Sequence, residues 1–273
     1  MAIMLAGWSN EELMHEAVIA PRGAYVALPD TRVITRPGWF QLITPSLRRG
    51  GLNEVGLAVL APDEADAVID ATIAEYARLG LLFRWSVPPD SAPEDLAERL
   101  AARGLDRGEC VVMAGLTDRA ATPRAGVTVE LVGADTVDEF NGAMARGWDM
   151  DPAPLAVLSH KLIAEPERGQ FLFLARHQGE PAGTATYASV GRSAYLMGAV
   201  VLPQYRGLGL YRALIEARLS HAASRGLTLA TSQARAETSA PILAHLGFVT
   251  VCRFPVFTSA GAKTDSAPPR PLR

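Results

Sequence analysis

The chain has 273 residues, 49% of them hydrophobic and 20% charged, with 26 basic and 29 acidic side chains and a formal net charge of −3. That length suits about two domains of ordinary size, and the charge balance gives no electrostatic footprint for nucleic acid as a main partner. The two cysteines, Cys110 and Cys252, lie in apolar strand-like runs and read as buried core residues, not as a disulfide or a nucleophile.

Residues 1–10 carry no basic region and are broken by Gly7-Trp8, unlike a signal peptide. The apolar run 194–203 is too short to cross a bilayer. The expectation is a cytoplasmic protein with no membrane partner.

In chain order, residues 11–20 are predicted helical and closed by Pro21. Short strands are predicted at 25–28 and 31–34, around Pro29-Asp30, and at 39–44. Arg48-Arg49-Gly50-Gly51 reads as a turn and 55–60 as a strand. A helix over 63–79 carries apolar Ala65, Ile69, Ile73 and Tyr76 and stops at Gly80. Strand 81–87, the linker Pro88-Pro89-Asp90-Ser91, a helix over 94–103 stopped by Gly104, and strand 110–114 complete the first half. Residues 117–126, with Pro123, read as a domain boundary.

The second half opens with strand 127–132, then helices over 135–146 and 152–163. Strand 171–176 turns through Gly179-Glu180-Pro181 into strand 183–189, and strand 194–202 follows. The helix 209–225 has an apolar stripe of Leu210, Leu214, Ala217 and Ala222 and ends at Gly226. Strand 227–231, a short helix over 239–246 ended by Gly247, and strand 248–256 close the pattern. Beyond Ser259 the chain is aperiodic and is predicted to be a disordered tail.

Each half thus contains strand, long helix, Gly, strand, short helix, Gly, strand. The marker glycines Gly80 and Gly104 recur as Gly226 and Gly247, offset by 146 and 143 residues. The pattern predicts two copies of one fold joined near residue 120.

The informative stretch is the turn after strand 194–202. Gly207 and Gly209 let the backbone approach a ligand closely, and the first N–H groups of the following helix have no internal partner. These donors, the helix dipole and Arg206 suit a phosphate; glycines serving turn geometry alone are the alternative. A Rossmann fingerprint is excluded because Arg212 stands where its third glycine belongs, and a Walker loop because no G-K-[ST] follows.

The order Arg206-x-x-Gly209-x-Tyr211, with its preceding apolar strand, Pro203 and following helix, resembles the R/Q-x-x-G-x-G/A signature of the GNAT superfamily of acyl-CoA-dependent N-acyltransferases. Tyr211 departs from it, standing where the family has Gly or Ala. The resemblance implies an α/β (α+β) fold of two tandem GNAT-like domains, each a mixed, mostly antiparallel sheet flanked by helices. The expected boundaries are 1–120 for a degenerate copy without the cofactor motif, 127–258 for the catalytic copy and 259–273 for the tail. The first copy has Asp63, Glu64 and Asp66 at its helix start, acids that suit the dipole but repel a diphosphate.

The same resemblance implies acetyl-CoA, or another acyl-CoA, as co-substrate. The main chain of Ala199, Val200, Val201 and Leu202 would bond the pantetheine arm, and backbone N–H groups of Arg206, Gly207, Leu208, Gly209, Leu210 and Tyr211 would hold the diphosphate. A neutral amine, either a small molecule or a peptide N-terminus, would attack the thioester directly, with a strand N–H stabilising the oxyanion. Trp148, Asp149, Met150 and Asp151 are the expected acceptor cluster, with a solvated loop as the alternative. A homodimer is left open.

In many family members a Tyr on the short last helix protonates the leaving thiolate; here that position is Leu243, and Ala236 replaces a frequent Asn. Ser239, one turn before Leu243 on the same face, is the candidate to hold the thiol, or else with Thr238 it caps the helix. Glu237 is the candidate base through water, or else a solvated carboxylate. Tyr187 and Tyr195 read as core, and His177 and His221 as surface positions; no histidine pair has metal-ligand spacing. The missing acid keeps open a non-catalytic acyl-CoA-binding module of the same fold.

Overall fold

Alternating apolar strands punctuated by glycine and proline build two compact units. The computed structural model describes residues 5–48, 51–119, 121–165, 167 and 169–259. The expected turn at Arg49-Gly50 and the tail beyond Ser259 lie outside these residues.

The smaller unit comprises residues 25–110 and 253–259. Strands β1 (Arg32–Arg36), β2 (Trp39–Ile43), β3 (Glu54–Ala58) and β4 (Arg84–Ser86) run in that order, and the end of β11 (Val249–Thr258) pairs with β4, Val256 against Ser86. β1–β2 and β2–β3 are antiparallel, whereas β3–β4 is parallel, because helix α2 (Ala65–Arg78) crosses over between them. The core gathers Trp39, Ile69, Tyr76, Phe83, Trp85 and Phe257, with Leu96 and Leu100 from α3 (Leu96–Ala102). The expected strand at 25–28 does not form: Leu28 N–H bonds Thr31 Oγ1 and Thr31 N–H returns to Leu28 O, so the chain closes a local turn instead of a ladder.

The larger unit comprises residues 5–24 and 111–252. It opens with α1 (Asn10–Met14), held by a capping box between Ser9 and Glu12, and continues as a π-helical turn over His15–Ile19. Its strands β5 (Asp106–Leu116), β10 (Leu229–Arg235), β9 (Ser193–Val201), β8 (Glu180–Val190), β7 (Gln170–His177) and β6 (Val127–Leu131) are neighbours in that order. β6 to β9 are successively antiparallel; β9 and β10 are parallel, joined through α6 (Leu210–Ser224). Helices α4 (Val137–Trp148), α5 (Pro152–Ala164) and α7 (Ser239–His245) complete it. Each unit therefore contains a parallel strand pair spanned by its longest helix.

These units do not follow the expected boundaries. Residues 5–24 pack with the second half: Gln170 Nε2 donates to Ala24 O (2.6 Å) and Arg192 N–H to the buried carboxylate of Glu16 (2.8 Å). The last strand ends in the smaller unit through its pairing with β4. In the segment read as a domain boundary, Thr122 N–H donates to Glu216 Oε2 (2.9 Å).

Candidate active site

Strands β9 and β10 are paired only over Ser193–Tyr195 against Leu229–Thr231. Beyond that point one side-chain bond spans them, from Ser232 Oγ to Leu196 O (3.1 Å). On its other side β9 carries a bulge. Thr186 faces Met197 but Thr184 faces Val200, so Gly198 and Ala199 share one partner, and Gly198 takes φ +61°. The edge of β9 towards β10 is thus released as far as Val201; Leu202, also expected to bond the arm, instead donates its N–H to Ala182 O (2.9 Å) and accepts from Tyr205 N–H (2.9 Å). Val200 and Leu202 are buried and Ala199 and Val201 half-buried.

The chain leaves β9 through a 3-10 turn, Pro203–Tyr205, and enters α6 at Gly209. Gly207 and Gly209 both have φ +82°, a left-handed backbone that disfavours any side chain. The first N–H used inside α6 is that of Ala213, to Gly209 O (3.0 Å); those of Leu210, Tyr211 and Arg212 precede it and have no helical acceptor. Among the described residues no acceptor meets the N–H of Gly207, Leu208 or Gly209. Gly207 and Leu208 are exposed, and a Cβ at Gly207 would meet nothing within 4 Å. Gly209 differs: a Cβ there would lie 2.8 Å from Cδ of Arg124. Arg206 is exposed and its Nε turns back to Val201 O (3.4 Å).

Two buried charges in α6 escaped sequence reading. Glu216 is 1% exposed and accepts from Arg124, from Arg212 Nε (2.9 Å) and from Thr122 N–H. Burial would raise its pKa, but the bonds from Arg124, Thr122 and Arg212 win and hold it at about 2. Arg218 is also 1% exposed and lies on the line of Leu214 and Ala222. Its Nη1 meets Thr186 O (3.0 Å) and Met197 O (3.4 Å), across the bulge, and its Nε meets Leu214 O. Among the described residues no carboxylate pairs with it. Burial lowers its pKa to about 10, so it stays charged at neutral pH.

At the far side of the parted strands, Ser239 does not cap α7. The N-cap residue is Thr238, without a side-chain cap bond, because its backbone is not extended there. Ser239 Oγ instead accepts Arg235 N–H (2.9 Å). Glu237 is exposed. Leu243 is buried.

The corner between α4 and α5 bounds an open cleft of about 590 Å³ lined by Ala145, Arg146, Asp149, Met150 and Asp151. Gly147 brings this end of α4 against β9, since a Cβ there would lie 2.7 Å from Val200 Cγ1, and the Trp148 ring meets the Arg235 guanidinium at 5.8 Å. Asp149 adopts a left-handed backbone, and Asp151 caps α5 through Ala153 N–H. The acidic cluster is thereby beside the parted strands. His221, expected at the surface, is half-buried against Phe171 and Phe173, with Nδ1 2.7 Å from the hydroxyl of buried Tyr187. His177 is half-buried beside Tyr205.

The smaller unit lacks this opening. Past its β3–β4 pairing, Ala92 lies alongside β3: Ala92 N–H donates to Ala58 O (2.9 Å) and Leu60 N–H to Ala92 O (2.9 Å). This edge of β3 is occupied by the chain itself. Asp66, at the start of α2, is bound by Arg99 and Arg103.

The bulged strand β9 thus parts from its parallel neighbour β10 and runs into a glycine turn and helix. Residues 134–248 match the model of the acetyltransferase (GNAT) family, so this segment is a GNAT-family domain. Among solved structures the chain is similar to a GCN5-related N-acetyltransferase from Kribbella flavida, with 18% identity over 94% of this chain and 97% of that one and a TM-score of 0.62. It is also similar to a functionally unknown conserved protein from Staphylococcus epidermidis (14%, 89% and 98%, 0.63) and to a tandem GNAT protein from the clavulanic acid biosynthesis pathway (17%, 88% and 86%, 0.55). At such identities the likeness is one of fold. No curated protein sequence matches the chain. Among the described residues no helix is long and apolar enough to cross a membrane.

Proposed function

We propose that the larger unit transfers an acetyl or other acyl group from acyl-CoA to an amine by direct attack, and that the smaller unit takes no co-substrate. Two features carry this reading: the edge of β9 that leaves β10 after Tyr195, and the N–H groups of Gly207 to Arg212 at the start of α6. The released edge over Ala199 to Val201 suits an extended amide-bearing arm, and the N–H groups of Gly207 to Arg212 suit a diphosphate; Leu202 and Arg206 N–H are already used, by Ala182 O and Pro203 O. Arg206 and Arg212 add positive charge beside them.

In this reading the N–H groups at the bulge face the thioester oxygen as it gains charge. Asp149 and Asp151 draw the amine, a small molecule or a peptide N-terminus, to the cleft beside Val200. Glu237 takes its proton through water, being exposed and close in sequence to the end of β10. Ala92 and the acids at α2 explain why one site, not two, is expected.

A second reading, a module that binds acyl-CoA without turnover, is favoured by Leu243 and by the engagement of Ser239 with Arg235. Release of free thiol from acetyl-CoA, measured against a panel of amines, separates them. Amine-dependent release supports transfer; binding with no release on any amine supports the module.

A further inference from the structure

The N-terminal segment, outside the stretch that matches the family, docks where β10 leaves β9. Ala230 and Ala234 of β10 belong to the core under α6, so the alternate residues Thr231 and Gln233 point to the opposite face of the sheet. There both reach the π-helical turn His15–Ile19: Thr231 Oγ1 donates to Glu16 O and Gln233 Nε2 to Ala17 O, each at 3.5 Å. Helix α4 lies on this face too, because Val200 meets Gly147 while its neighbours Ala199 and Val201 pack against the α6 core. Further along the same face of β10, Arg235 lies against Trp148 at the end of α4. The face over the released edge is therefore bordered by the π-helical turn and by the end of α4, with Gln233 between them.

Thr231 pairs with Tyr195 and Ser232 reaches Leu196, so Gln233 comes level with Met197, the residue before the bulge. Gln233 is half-buried. A carbonyl can only accept, so Ala17 O fixes which end of the amide faces it. Oε1 is the end left to accept, and among the described residues no donor meets it.

We propose that Gln233 positions the attacking amine: its Oε1 accepts one N–H of the neutral amine and turns the nitrogen lone pair towards the thioester carbon at the bulge. The π-helical turn holds the amide to that task, so the side chain is ordered before the amine arrives. This rests on the acyl-transfer reading above. A primary amine has two N–H groups. One stays on Gln233 and becomes the amide N–H of the product. The other proton leaves through water to Glu237 as the C–N bond forms, and the C–S bond breaks with its electrons on sulfur, which takes a proton from solvent. A neutral side chain suits this place, because a carboxylate would favour the ammonium form, which has no lone pair to attack with.

The test follows thiol release from acetyl-CoA by the full chain with ethanolamine, glycinamide or spermidine. The contact is to the nitrogen that all three share, so the result does not depend on which is accepted. We expect Gln233→Leu to lower kcat/KM for the amine about tenfold, the value of one hydrogen bond to the reacting group, with KM for acetyl-CoA within twofold. Gln233→Glu is expected to move the pH profile of kcat/KM for the amine upward by about one unit, since a carboxylate beside an ammonium raises its pKa. A residue that only held the N-terminal segment would lower the thermal midpoint of both variants and leave the profile in place. Where Gln233→Leu folds poorly, the profile of Gln233→Glu decides. Unchanged amine kinetics in Gln233→Leu, or the natural profile in Gln233→Glu, overturns the proposal and leaves acyl transfer standing. Coenzyme A bound by the natural protein with no release on any of the three amines overturns both.

Discussion

Arg124 grips Glu216 with two hydrogen bonds, Nη1 to Oε2 at 2.9 Å and Nη2 to Oε1 at 3.1 Å, while its own Cδ lies against Gly209. A residue ahead of β6 thus fastens the start of α6 from outside the stretch that matches the family. The carboxyl, at about 2 when folded against 4.5 unperturbed, contributes stability that is present above pH 4.5 and is lost as pH falls from there towards 2. The difference is worth up to about 3 kcal/mol at 1.36 kcal/mol per unit. Glu216→Gln should lower stability near pH 7 and flatten its decline below pH 4.5, as read by urea unfolding across pH. A variant with the natural protein's acid dependence would show that Glu216 is not the group titrating.

Gly207 and Gly209 share a left-handed backbone, so alanine at either costs about 1–2 kcal/mol. Only at Gly209 does the new Cβ also strike Arg124. Gly209→Ala should lose more stability than Gly207→Ala, whereas both should weaken coenzyme A binding. A Gly207→Ala variant that binds coenzyme A unchanged would mean the open space at Gly207 is not where the ligand lies.

Gly147→Ala sets two effects against each other. A helical glycine replaced by alanine gains about 1 kcal/mol, but here the methyl lands 2.7 Å from Val200 Cγ1, and overpacking costs about 1–3 kcal/mol. Net destabilisation is expected, with weaker acyl-CoA binding because Val200 belongs to the released edge. A stabilised variant would show that α4 can move away from β9 freely.

Removing the buried cation by Arg218→Met should destabilise the larger unit, since the carbonyls of Thr186 and Met197 lose a buried donor, and each acceptor left unsatisfied costs about 1–3 kcal/mol. Thermal and urea melts check this. An unchanged melting midpoint would show that the bulge of β9 does not depend on Arg218.

The element pattern was legible in the sequence because glycine stops and apolar periods act locally: Gly80, Gly104, Gly226 and Gly247 each end a helix where expected. The glycine turn between β9 and α6 was legible for the same reason, as its residues are contiguous. What escaped depends on chain segments far apart. Arg124 meets Glu216 across 92 residues. Arg218 occupies an apolar helix line, so periodicity gave no sign of its carbonyl partners on β8 and β9. The closure of the smaller unit by Ala92 is a backbone event with no side-chain signature.

Calorimetric titration with coenzyme A tests the central claim most directly. The released edge of β9 and the closed edge at Ala92 together predict one molecule bound per chain, with binding lost when the Gly207–Gly209 turn is substituted. No binding at about millimolar concentration, where even a −4.1 kcal/mol interaction would register, or two molecules per chain, would contradict it.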